Sequence, residues 1–146
     1  MTESAMKLHY QISDQLLFAA KPTGIATHAP DTGKRGFAEI LEAEIGQKLF
    51  VVHRLDKTTS GAICFALTPE KAAETSEAFK NHQISKKYLF LTDRFVENDD
   101  VDRFEVLSNI EKDGKNFVSL KTDKTSANSH TVFTRLKRSP FFSLWQ

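Results

Sequence analysis

Residues 53–61, His53-Arg54-Leu55-Asp56-Lys57-Thr58-Thr59-Ser60-Gly61, crowd an acid, two bases and three hydroxyls into nine positions between two short apolar runs, 49–52 and 62–67. Short apolar, β-prone runs bounded by polar segments read as buried strands. The polar segment is therefore confined to a loop slung between two strands. Functional side chains are commonly held there by a rigid scaffold.

The rest of the chain supplies such a scaffold. Leu8, Tyr10 and Ile12 alternate with polar neighbours, and residues 16–20 form a second apolar run, so two strands are expected. Lys21-Pro22-Thr23-Gly24 then breaks the chain: Pro22 fixes its own backbone angle and Gly24 permits a positive one. A loop with Pro30, Gly33 and Gly36 follows. Phe37, Ile40, Leu41 and Ile45 recur at helical spacing opposite Glu39, Glu42 and Glu44, which predicts a helix over 37–45 ended by Gly46. Thr68 as cap and Pro69 in the first turn start a second helix reaching Lys80, with Ala72, Ala73, Ser76 and Phe79 expected inward. Strands are expected over 88–91, 117–121 and 131–136, and the acidic residues 97–102 read as an exposed connection. Strands and helices without a regular βαβ alternation indicate an α+β fold, a largely antiparallel mixed sheet with flanking helices.

Length and composition narrow the classes. A chain of 146 residues, 40% hydrophobic and 27% charged, fits one globular domain and argues against disorder. No apolar run approaches the roughly 18 to 20 residues that span a bilayer, and residues 1–14 alternate instead of forming a signal-peptide core, so a cytoplasmic protein with no membrane partner is expected. Cys64 lies inside an apolar run and reads as a small buried hydrophobe. The net charge is only +1, yet residues 106–146 carry seven Lys and Arg against three Asp and Glu. That basic end is the better candidate to face a nucleic acid.

Several chemistries compete for the central loop. In a kinase catalytic loop Asp follows Arg directly and Asn comes five residues later, whereas here Leu55 intervenes and Gly61 stands five after Asp56. No phosphate-binding Gly and Lys spacing is present. A metal site is not expected, because His9, His28, His53, His82 and His130 are scattered and the single cysteine has no partner. The plain structural alternative is an Arg54–Asp56 ion pair that staples a turn.

The nonapeptide resembles the HRLD-x-x-TSG signature of RluA-type pseudouridine synthases at every defined position. Lys21-Pro22-Thr23-Gly24-Ile25 with His28 resembles that family's KPxG segment, Lys87-Tyr88 its KxY-like strand start, and the region 129–145 the strand pair before its last motif. Having His at position 53 favours this branch over the sister group that carries an RNA-binding S4 module, and none fits before Leu8. The resemblance implies an isomerase that converts uridine to pseudouridine in ribosomal or transfer RNA, without cofactor or metal. It implies Asp56 as the catalytic nucleophile, Arg54 holding the flipped-out state, Tyr88 stacking on the uracil, and His53 and Lys21 beside the RNA. Thr58, Thr59 and Ser60 are expected to shape the loop, and the plain reading of Lys21 is a solvated turn residue. An RNA-binding fragment of the same fold without chemistry is the second reading, and a metabolic enzyme acting on a small substrate is a weaker third. Residues 1–146 are expected to be the N-terminal part of one catalytic domain, because the family continues with a basic motif that pairs with the aspartate. The run 141–145 is expected to end as an unpaired, association-prone edge.

Overall fold

β1 (Tyr10–Ser13) and β2 (Leu16–Lys21) form a hairpin whose two connecting residues, Asp14 and Gln15, take φ of 50° and 58°. Two positive φ values in a two-residue connection give the mirror-image turn whose twist matches paired strands. The computed structural model describes residues 7–29, 33–93, 101–113, 116–121 and 127–146, with 113 and 116–121 described by backbone alone. Pro30 and the acidic residues before Val101 lie outside that set. The chain divides into two units, Met1–Ser85 and Lys86–Gln146.

In the first unit β2 pairs antiparallel with β4 (Gly61–Ala66), which pairs antiparallel with β3 (Phe50–Val51), giving the order β1-β2-β4-β3. Burial alternates along β2, so Leu17, Ala19 and Lys21 all face inward. Leu17 and Ala19 meet Ile63 and Phe65 of β4 and the buried side of α1 (Phe37–Ile45), where Phe37, Ala38 and Leu41 complete a core with Leu49 and Leu55. Each fully buried Leu or Phe is worth roughly 1.5–3 kcal/mol, so this core dominates the stability of the unit.

The entry to α1 is tightly built. The first two helical N–H groups, of Phe37 and Ala38, donate to the carbonyls of Ala26 and Thr27 at 2.8 and 3.0 Å, which satisfies donors that a helix cannot pair itself. The Glu39 carboxylate accepts from Gly36 N–H at 2.9 Å and Ala29 N–H at 3.2 Å and also pairs with His28. A Cβ at Gly36 would lie 2.4 Å from the carbonyl carbon of His28 and 2.5 Å from the nitrogen of Ala29, so glycine alone fits. Gly46 ends the helix in the left-handed conformation, as its position predicts.

α2 (Pro69–Lys80) also matches its expected span, with the Thr68 hydroxyl accepting from Lys71 N–H at 3.2 Å. Its inward face differs from the expected one. Thr75 is buried and Ala72 and Phe79 are half-buried, while Ala73 and Ser76 are exposed. Residues 72, 75 and 79 share one helical stripe. Thr75 is polar, which hides that stripe in the sequence.

The second unit is a five-stranded antiparallel sheet in the order β5 (Phe90–Thr92), β9 (Ser143–Trp145), β8 (Ser129–Arg138), β6 (Arg103–Asp113), β7 (Asn116–Lys121). The expectation of an unpaired edge over 141–145 is overturned. β9 lies between two upstream strands, with Trp145 opposite both Phe90 and Arg135, and only Phe141 and Phe142, outside the strand, stay exposed. Trp145 is 3% exposed and packs edge-on against Phe104 at 5.4 Å, while Phe104 stacks on Phe133 at 4.8 Å. Such pairs add about 0.5–1.5 kcal/mol beyond burial. The strand expected over 88–91 begins at Phe90, so Tyr88 and Leu89 precede it.

The Glu39 arrangement generates a pH prediction. Burial disfavours the charged form, but its own backbone N–H, those of Ala29 and Gly36, and His28 outweigh that cost and hold the carboxyl below its usual 4.5. The folded chain therefore takes up this proton less readily than the unfolded chain. The stabilisation is full above the ordinary glutamate range and is lost as pH falls through the lower folded value. Denaturant unfolding between pH 7 and pH 3 is expected to show Glu39→Gln less stable at pH 7 and less acid-sensitive below 4.5. An acid limb identical to that of the unsubstituted chain would contradict this account.

Candidate functional site

The register that pairs Lys21 with Gly61 puts the end of β2 beside the start of β4. The turn after Lys21 and the loop before Gly61 consequently leave the sheet side by side. Gly61 has φ of +139°, a backbone state that residues with a Cβ rarely adopt. β3 stops at Val51, and His53 then takes over from the ladder: its Nε2 accepts the N–H of Cys64 at 3.0 Å. An imidazole nitrogen that accepts carries no proton, so the ring is the Nδ1–H tautomer in this geometry. The ring also lies against Phe79, centroids 4.7 Å apart.

Beyond His53 the chain alternates. Arg54 is exposed, Leu55 is 7% exposed and inserted into the core, and Asp56 is exposed again. The intervening leucine is thus the anchor that turns the two charged side chains outward. Thr59 N–H closes a turn on the Asp56 carbonyl at 3.0 Å. Three further contacts tie this loop to the turn after β2. Gly24 N–H donates to the Lys57 carbonyl at 2.7 Å, the Thr23 hydroxyl donates to the Thr58 carbonyl at 2.9 Å, and the Thr27 hydroxyl both donates to the Leu55 carbonyl at 2.8 Å and accepts its N–H at 3.1 Å. The KPxG-like and HRLD-like segments therefore form one structure.

Lys21 lies under this structure. It is 1% exposed, and its ammonium donates to the carbonyls of Pro22 at 3.0 Å and Ile25 at 2.7 Å. Burial pushes the ammonium below its usual 10.5, and the Asp56 carboxylate opposes that shift. The reading of Lys21 as a solvated turn residue is therefore corrected: strand parity carries it inward from Leu17 and Ala19. Above it Asp56 presents a carboxyl to solvent from a fixed backbone, and the stapling pair between Arg54 and Asp56 is absent among the described residues. This arrangement offers an exposed acid, a buried cation that feels its charge and a planar cation two residues away.

The remaining expected residues fall elsewhere. His53 is half-buried and serves the loop's framework. Tyr88 belongs to the second unit, 48% exposed, just before β5. Thr58 and Thr59 shape the loop through backbone groups, and Thr59 is half-buried. Of the basic end, Arg135 is engaged with Asp102 at 2.8 Å and lies over the Trp145 ring. Cys64 is buried and its thiol is pushed up by that burial, as its apolar setting suggests. Among the described residues no three His, Cys, Asp or Glu side chains cluster as metal ligands, and no helix is long and apolar enough to cross a membrane. The sequence reading missed Thr27, whose partners are distant in the chain and give no local signal.

Residues 15–145 match a family model described as RNA pseudouridylate synthase. A tRNA pseudouridine synthase C of Vibrio cholerae is 29% identical over 136 residues, which cover 91% of this chain and 54% of that protein. A protein of the same name from Haemophilus ducreyi is 37% identical over 86 residues, covering 57% of this chain and 35% of that protein. An uncharacterized RNA pseudouridine synthase of Haemophilus influenzae is 41% identical over 86 residues, covering 58% and 38%. The chain thus spans about half, or less, of the length of these curated relatives. The solved structure of human RNA Pseudouridylate Synthase Domain Containing 1 superposes with a TM-score of 0.71 at 17% identity, covering 99% of this chain and 60% of that one. At that identity the likeness is one of fold.

The role of His53 in ending β3 is testable by substitution. Phe at this position keeps a ring against Phe79 but leaves the Cys64 N–H without its acceptor, a loss of about 1–3 kcal/mol when the group is buried. Gln carries an acceptor at similar reach. Urea unfolding is expected to rank the unsubstituted chain above His53→Gln and His53→Phe lowest. Equal stability of the two variants would show that the Cys64 contact contributes nothing.

Proposed function

The chain belongs to the RNA pseudouridylate synthase family, of the RluA type, and we propose that it isomerises uridine to pseudouridine in a structured RNA with Asp56 as nucleophile. The observation that carries this reading is the setting of the nonapeptide: an exposed carboxyl on a backbone held by Leu55 and Thr27, whose charge reaches the buried Lys21 ammonium. A fixed carboxylate can divide one difficult substitution into two easier ones. One Asp56 oxygen bonds to C1′ of the target ribose as the C1′–N1 bond breaks, and its electron pair leaves with the uracil. The uracil turns within the site, and C5 bonds to C1′ and expels the carboxylate. C5 then loses its proton and N1 gains one. Substrate and product have the same atoms and oxidation level, so the reaction needs no external oxidant or reductant.

The target base must first leave its stack, at a cost of a few kcal/mol. Arg54, exposed beside Asp56, has a planar cation suited to stacking on bases and to binding phosphate in the emptied space. The resemblance assigns the stacking on the uracil to Tyr88, whose ring is exposed in the second unit. Lys21 and His53 act from below, Lys21 through its charge and His53 through the loop. The names of the curated relatives favour transfer RNA over ribosomal RNA as substrate.

The expected outcome with transfer RNA transcripts, read by mass spectrometry of their nucleosides, is pseudouridine with a protein of the relatives' length and none with its Asp56→Asn variant, RNA binding being retained. Pseudouridine formed by Asp56→Asn at the unsubstituted rate would remove Asp56 from the chemistry. RNA binding without product from the unsubstituted chain would instead make it an RNA-binding segment of this fold.

A further inference from the structure

We infer that Thr27 is the positioning residue for Asp56, acting through the backbone of Leu55. The inference deepens the reading of Asp56 as nucleophile and rests on it. Leu55 is the buried residue between the two exposed charges of the site, and its backbone lies outside every strand ladder. Its N–H and C=O both require partners, because an unpaired buried backbone group is strongly disfavoured. The Thr27 hydroxyl meets both, accepting at 3.1 Å and donating at 2.8 Å. A hydroxyl is the smallest side-chain group able to do both at once.

Thr27 is itself fixed. It is 3% exposed, its carbonyl accepts the N–H of Ala38 at the start of α1, and its β-branched side chain has few rotamers. The position of the helix is thereby passed through one side chain to the peptide that precedes Asp56. The ties from Gly24 and Thr23 reach Lys57 and Thr58 on the far side of the loop, and the His53–Cys64 bond anchors its start. Thr27 is the tie on the peptide that precedes Asp56. Thr27→Val keeps the shape and removes the hydroxyl, whereas Thr27→Ser keeps the hydroxyl.

Two readouts on the whole chain test this: amide hydrogen exchange at Leu55, referenced to Phe65 in β4, and the single-turnover rate of pseudouridine formation with RNA affinity measured alongside. Thr27→Val is expected to speed exchange at Leu55 at least tenfold while Phe65 keeps its protection. It is also expected to slow the reaction on the order of 10- to 100-fold, since a displacement near 1 Å can cost about 100-fold, with RNA affinity unchanged. Thr27→Ser is expected to restore both. A wild-type rate in Thr27→Val overturns the inference, as does equal acceleration at Leu55 and Phe65, which marks a merely structural loss. If Thr27→Val does not fold, Thr27→Cys, with its weak donor and acceptor, carries the same comparison. If the unsubstituted chain forms no pseudouridine, the functional reading fails on its own. The exchange data then decide the positioning: selective loss at Leu55 upholds it and uniform protection overturns it.

Discussion

The antiparallel pairing of β2 with β4, in the register that sets Lys21 opposite Gly61, is the interaction from which the first unit is organised. Two segments far apart in sequence leave the sheet together at that point, one through the Pro22–Gly24 turn and the other through the loop ending at Gly61. A shift of one residue would exchange the faces of β2 and turn Leu17, Ala19 and Lys21 away from the core. The apolar side chains of α1 hold the register, because Phe37 and Leu41 fill the space over Ile63 and Phe65. Core packing and site geometry therefore share one cause.

The two layers of the site follow from alternation along extended chain. In β2 it carries a lysine into the interior, where backbone carbonyls of Pro22 and Ile25 replace water around the ammonium. In the segment 54–56 it sends a leucine inward and two charges outward. A buried cation without hydrogen bonds would be prohibitively costly, so the turn after Lys21 has a second duty beyond reversing the chain: it solvates the charge on which the Asp56 carboxylate acts.

Much of this was legible in the sequence because its signals are local. Both helices matched their expected spans, since periodicity, the Thr68 cap, Pro69 and Gly46 all lie within a few residues of the structure they specify. The nonapeptide marked the loop between β3 and β4 for the same reason. The hairpin turn at Asp14 and Gln15 lacks the glycine that usually announces positive φ. β6 went unassigned because Leu107 breaks the parity of Phe104, Val106 and Ile110 among charged neighbours. Burial of Lys21 could have been read from strand parity, but a lysine beside Pro and Gly suggests solvent. Thr27 and the interior place of β9 rest on partners distant in sequence, which no window reveals.

The two motifs form one structure, in which the Asp56 carboxylate bears on the buried Lys21 charge. A double-mutant cycle on folding stability, using Lys21→Met, Asp56→Asn and the pair, measures that coupling. Residues in contact or in one charge network couple by about 0.5–3 kcal/mol, whereas independent sites add within about 0.3–0.5 kcal/mol. A stabilising coupling is expected at neutral pH, diminished by high salt. Additive losses at every salt concentration would contradict it.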